Sequence, residues 1–232
     1  VWAVIGAAHN ELTYRVNPTA ETDSTLRVIN IDDPSQFREI EHPAGAGTVL
    51  AGEWTSDGEY LVGVHWQGSE ADLVVWNEAE GWMNLTDSPT LSEMHPAVSP
   101  DGRWLLYNMS PAGRNDFRVF VRPFLREGPA IQITDEFGFA PVWSTDGSEL
   151  LYVGRAESGD GLSDQPEEDR PRWIFSVTFD GDGSGRPRLG RPQPVFSAEG
   201  FGQTTPIRAW DAAPDGRFLM IRKSSNEDFL SA

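Results

Sequence analysis

The stretch HPAVSPDGRWLLYNMS, His95–Ser110, sets a short apolar run before Asp101-Gly102 and a longer one after it. The same pair returns as Asp57-Gly58, Asp146-Gly147 and Asp215-Gly216, each time between a short and a longer apolar run. The first three pairs stand 44 and 45 residues apart, and the fourth follows after 69. One turn motif every ~40–45 residues is the period of a β-propeller blade. Glycine after aspartate supplies the positive φ that a tight hairpin or its bulge needs. The carboxylate caps such a turn by accepting backbone N–H groups two residues on.

Aligned on Asp-Gly, the four segments read LAGEWTSDGEYLVGVHW, MHPAVSPDGRWLLYNMS, FAPVWSTDGSELLYVGR and RAWDAAPDGRFLMIRKS. A short strand is predicted before each turn, at Glu53-Trp54, Ala97-Val98, Val142-Trp143 and Ala209-Trp210. A longer one follows it, over Tyr60–Trp66, Trp104–Met109, Leu150–Gly154 and Phe218–Arg222. The longer runs are apolar at odd and even positions alike, which suits sheets packed on both faces.

The pattern P-x-[WV]-S-x-D-G-x-x-L-x-Y resembles the repeat of TolB-type (PD40, WD40-like) six-bladed propellers. The second half adds RVFVRPF, QIT, PVWSTDGSELLY, IFSVTFD, GRPQPVF and APDGRFLMIR. That order is similar to the C-terminal propeller of bacterial membrane-anchored serine/threonine kinases. The likeness is tight from Pro96 to Arg222 and looser over the first 95 residues. It implies an all-β fold of four-stranded antiparallel blades and a periplasmic or extracellular location. Kinase activity is not implied, because the chain carries no kinase signature, P-loop or G-x-S-x-G motif.

Residues 1–232 read as one propeller domain or a fragment of one, with blades at about 1–45, 46–90, 91–135 and 136–198 and an incomplete one at 199–232. The first blade lacks Asp-Gly, and Asn10 stands at its turn, where Asn tolerates left-handed geometry. The tally is about eighteen strands, or four and a half blades, against roughly twenty-four for a six-bladed ring. Upstream sequence or another chain is expected to supply the missing strands, unless the ring is smaller. Val1 opens inside a strand, as a processed or excised piece would. Phe218–Arg222 is expected to carry an exposed sheet edge.

With 38% hydrophobic residues, nine Trp and twelve Phe, the chain can fill a layered aromatic core. The absence of Cys excludes disulfides and cysteine-ligated metals. Eighteen Lys plus Arg against 36 Asp plus Glu give a net charge of −18, and Lys223 is the single lysine. Such a surface repels phosphate, so nucleic acid and anionic membrane surfaces are poor partners. No run is apolar and long enough to insert in a membrane as a helix, and none reads as a signal peptide.

Within the short inner strands, Glu53 and Asp211 are the charged positions, at equivalent places, and both are expected to face the channel. His95 precedes an inner strand. Some TolB-like propellers, such as oligogalacturonate lyases, hold a metal with histidines at the channel mouth, so the resemblance makes His95 the residue for that chemistry. The equivalent Ala51, Ala140 and Ala209 offer no ligands, and a packed histidine is the plainer reading. Most tryptophans belong to the core; Trp82 and Trp173 are the candidates for stacking on a sugar. Asp180, Asp182 and Ser184 form D-x-D-x-S-G, the opening of a calcium loop, but Arg188 and Arg191 occupy its ninth and twelfth positions. A glycine-rich hairpin is the alternative there, and Ca²⁺ the one cofactor to consider. The acidic insertion 156–172 reads as a solvated loop or a gate.

Three functions follow as expectations. The leading one is a non-enzymatic propeller that binds a protein or peptide, or serves as a scaffold, within a larger bacterial envelope protein. The rivals are a polysaccharide lyase or hydrolase with a metal at the channel mouth, and an accessory propeller of an oligopeptidase.

Overall fold

The computed structural model describes residues 3–6 (backbone alone), 10–16, 25–43, 47–155, 170–181, 186–202, 208–213 and 215–222. β1 (Ala3–Gly6), β2 (Glu11–Val16), β3 (Thr25–Asn30) and β4 (Phe37–Ile40) form one antiparallel sheet in that order. β5 (Thr48–Trp54), β6 (Leu61–Gln67), β7 (Glu70–Asn77) and β8 (Gly81–Asn84) form the second. The third holds β9 (Leu91–Val98), β10 (Trp104–Pro111), β11 (Arg118–Pro123) and β12 (Ile131–Gln132), and a single parallel pair, Ala71 with Ser92, joins it to the second. β13 (Gly138–Trp143), β14 (Glu149–Arg155) and β15 (Arg172–Asp180) continue into β16 (Arg188–Leu189) and β17 (Gln193–Ser197), both paired with β15. β18 (Trp210–Ala212) and β19 (Phe218–Met220) make a hairpin. The inner strands β1, β5, β9, β13 and β18 pack side by side, each against the next. Among the described residues the fold is therefore an all-β propeller in four blades and part of a fifth.

Alternation along the middle strands explains why they are apolar throughout. In β10, Trp104 and Leu106 enter the core between the third and fourth blades, while Leu105 and Tyr107 enter the core toward the second. β14 repeats this, with Leu150 and Tyr152 on one side and Leu151 and Val153 on the other. Leu61 and Val74 belong to the seam between the first and second blades, along with Leu26, Val28 and Ile40. The second, third and fourth sheets are thus sandwiched by their neighbours, and burial of these side chains at ~25 cal/mol per Å² holds the blades together. Indole N–H groups add directional ties to the preceding blade: Trp54 Nε1 to Thr13 Oγ1 at 2.8 Å, Trp143 Nε1 to the Ala97 carbonyl at 3.0 Å, and Trp210 Nε1 to the Ala140 carbonyl at 3.0 Å.

The Asp-Gly turns share one hydrogen-bond plan. Gly58, Gly102, Gly147 and Gly216 have φ between 70° and 80°. Asp57, Asp101, Asp146 and Asp215 each accept, on Oδ1, the N–H of the residue two on, at 3.0–3.1 Å. A hydroxyl two residues before the aspartate completes the clasp. Thr55, Ser99 and Ser144 donate to that Oδ1 at 2.6, 2.6 and 2.8 Å and also accept a backbone N–H across the turn. In the fourth turn Ala213 takes that place, and the strands beside it are the shortest of the inner pairs. Asn10 has φ 53°, as its position at the first turn requires.

The inner strands are longer than the two-residue segments expected from the sequence. β9 runs eight residues and β5 seven. β5, β9 and β13 each carry a bulge: Gly52 is the extra residue in β5, His95 and Pro96 together oppose Tyr107, and Ala140 and Pro141 together oppose Tyr152. His95 and Ala140 reach φ 53° and 48° there. The bulge breaks the two-residue alternation, so the pattern loses the strand upstream of it. At the far end, Leu219 and Ile221 are 75% and 59% exposed, and among the described residues β19 pairs as a strand with β18 alone.

Candidate functional site at the channel mouth

The residues that meet among the inner strands come from blades far apart in sequence. Arg208, just ahead of β18, places Nη2 2.7 Å from Oε2 of Glu53 on β5, 155 residues away. Its Nη1 donates to the Pro141 carbonyl of β13 at 3.1 Å. The other oxygen of Glu53 accepts the Val98 N–H of β9. One guanidinium and one carboxylate thus tie β5, β9, β13 and the approach to β18 together. Burial pushes the Glu53 carboxyl above the usual range; Arg208 and the Val98 N–H pull it back, and Asp211 adds to the rise. Asp211 is exposed, with Oδ1 accepting its own chain's Ala212 N–H at 2.9 Å. Arg208 pairs with Glu53, and Asp211 adds a second carboxylate whose charge acts on Glu53. The sequence brought forward Glu53 and Asp211 and missed Arg208; its signal is a lone cation immediately before an inner strand.

His95 lies in the wall, 2% exposed, its ring edge-on to Phe139 at 4.5 Å. Asn108 Oδ1 accepts the Ala140 N–H at 3.2 Å, which fixes that atom as the oxygen. The His95 Nδ1 at 2.7 Å from it is then the protonated nitrogen. His95, Pro96 and Arg208 also line a cavity of about 20 Å³, the room of one water. Asn108 Nδ2 is buried without a partner.

A second buried polar group was not visible in the sequence because β9 was expected to start later. Glu93 is 2% exposed, and its Oε2 has no hydrogen-bond partner. Desolvation and the neighbouring Asp72 raise its carboxyl to about 7, against the pull of a Ser88 hydrogen bond and of Arg122. Tyr107 beside it is pushed up to about 12, mainly by burial.

The remaining sequence candidates stand apart from the channel. Trp82 is half-buried and donates Nε1 to the Glu41 carbonyl at 2.7 Å, a tie to the first blade. Trp173 is half-buried on β15, packed against the core between the third and fourth blades. Asp180 is exposed and lies 3.8 Å from Arg188, while Asp182 and Ser184 fall outside the described residues, as does the insertion at 156–169. Among the described residues, no three His, Cys, Asp or Glu side chains are grouped to hold a metal, and no helix is long and apolar enough to cross a membrane.

Solved structures share this fold. TolB from Acinetobacter baumannii superimposes with a TM-score of 0.60 at 16% identity, over 95% of this chain and 49% of that one. A putative TolB from Agrobacterium tumefaciens gives 0.58 at 18% identity, over 94% and 71%. The tricorn protease gives 0.57 at 13% identity, over 97% of this chain and 23% of the other. The chain thus spans about half the length of the first of these. No family model and no curated protein sequence matches it.

Proposed function

We propose that the protein is a non-enzymatic propeller of the periplasm or extracellular space that binds a protein or peptide at its channel mouth. The supporting observation is the cross-channel pair of Glu53 and Arg208 with exposed Asp211 beside it. An ion pair with a surplus carboxylate at a rigid rim favours a partner that brings positive charge, and the net charge of −18 acts in the same sense. Likeness to TolB-type folds and to kinase-appended propellers supports the compartment and a place in a larger envelope protein. The metal-dependent lyase reading draws less support, because His95 is sealed in the wall against Phe139.

A photo-crosslinking residue at position 211 tests this, with one at exposed Glu199 as control, followed by titration of the purified partner. Crosslinking to one envelope protein from position 211, with at least tenfold weaker binding to Asp211→Asn, is the expected result. Crosslinks from position 199 alone, or none that saturate, overturn the proposal.

A further inference from the structure

A groove of about 460 Å³ lies away from the channel, at the seam of the first and second blades. Its floor is aromatic. Trp54 and Trp76 meet edge to face, with centroids 6.1 Å apart and planes at 89°, and Tyr60 stands beside them. All three rings are half-buried. The Thr13 bond fixes Trp54, and both tryptophans rest on the core beneath, so the faces are preorganised.

The rim is acidic. Glu59 comes from the Asp57-Gly58 turn, and Glu78 and Glu80 from the turn between β7 and β8; all three are exposed. The one cation in the lining, Arg38 of β4, is already engaged: both its terminal nitrogens pair with Glu11, and its guanidinium lies over Trp54, 5.7 Å from the ring centroid. Among the described residues none of the three rim carboxylates forms an ion pair. Asn77, the amide at the rim, is spent on its own turn: it accepts the N–H groups of Ala79 and Glu80, and its Nδ2 donates to Glu80 Oε2 at 3.3 Å, which leaves that carboxylate's charge unneutralised.

Indole faces attract cations, and uncompensated carboxylates attract them further. A planar, weakly hydrated guanidinium can lie flat on a ring and bond a carboxylate in its own plane, a geometry that a compact, strongly hydrated ammonium lacks. Arg38, placed over Trp54 while paired with Glu11, already combines a ring contact and a carboxylate contact within the groove. We propose that this groove binds an arginine side chain of a partner protein, at a site separate from the channel mouth and independent of it.

The test is an NMR titration of the tryptophan indole N–H signals with end-blocked tri-arginine at physiological salt. Saturable shifts of the Trp54 and Trp76 signals are expected. Binding should weaken at least fivefold in Glu78→Gln/Glu80→Gln and stay unchanged in Glu127→Gln/Glu199→Gln, which removes equal charge elsewhere. Equal weakening in both double variants reduces the effect to diffuse charge and overturns the proposal. So does end-blocked trilysine binding as tightly, or maltotriose moving the same signals in place of tri-arginine.

Discussion

Glu93→Gln removes a buried carboxyl without changing the shape of β9. In the wild type this group is at about 7, against 4.5 ordinarily, so between those values the folded protein holds a proton that the unfolded chain has released. Its stabilising contribution is therefore full below about pH 4.5 and declines as pH rises toward 7. The difference of about 2.5 (7 − 4.5) at 1.36 kcal/mol each sets a ceiling of ~3.4 kcal/mol. Asp72 is half-buried, and solvent screening of its field brings the expected loss to about 2 kcal/mol. The carboxylate that forms has an oxygen without a partner, with Asp72 repelling it and Arg122 and Ser88 opposing that repulsion. Urea unfolding followed by tryptophan fluorescence, at constant ionic strength from about pH 5 to about pH 8, reads the effect. Other titrating groups cancel in the difference between the two proteins. The variant should gain about 2 kcal/mol on the wild type across that range. Parallel stability curves, or a gain toward acid, would refute the reasoning.

Gly102→Val should cost about 1–2 kcal/mol, all of it conformational, since φ is +70° and nothing lies within 4 Å of an added Cβ; a shift of the urea midpoint measures it, and a much larger loss would expose a missed contact. Ser144→Ala should cost about 1 kcal/mol by removing the clasp on Asp146, whereas Ala213→Ser should raise the melting temperature by supplying the hydroxyl that the fourth turn lacks. Asp146 is held at about 2, first by the Ser148 N–H and then by the Ser148 and Ser144 hydroxyls. Its contribution is present above the ordinary 3.8 and lost as pH falls toward 2, so Asp146→Asn should differ from the wild type at neutral pH and converge with it in acid unfolding.

The four Asp-Gly turns made the blades legible, because a turn needing positive φ and a side-chain cap is specified within a few residues. The middle strands were equally plain, since β10 and β14 send alternate side chains into different seams and so leave an unbroken apolar run. The inner strands were not, because the bulges at His95-Pro96 and Ala140-Pro141 interrupt their period. With the start of β9 went Glu93, whose burial no local pattern marks.

The candidate site divides the same way. Equivalent positions in an aligned repeat were enough to bring Glu53 and Asp211 forward. Arg208 became the partner of Glu53 in three dimensions alone, because blades stacked side by side bring residues 155 apart in the chain to a 2.7 Å contact. What the sequence determined by itself is the repeating unit, since turn chemistry and side-chain alternation act over a handful of residues. What the tertiary structure decided is which charges meet and which are sealed from water. Those depend on how successive blades stack around one axis, and no stretch of local sequence contains that information.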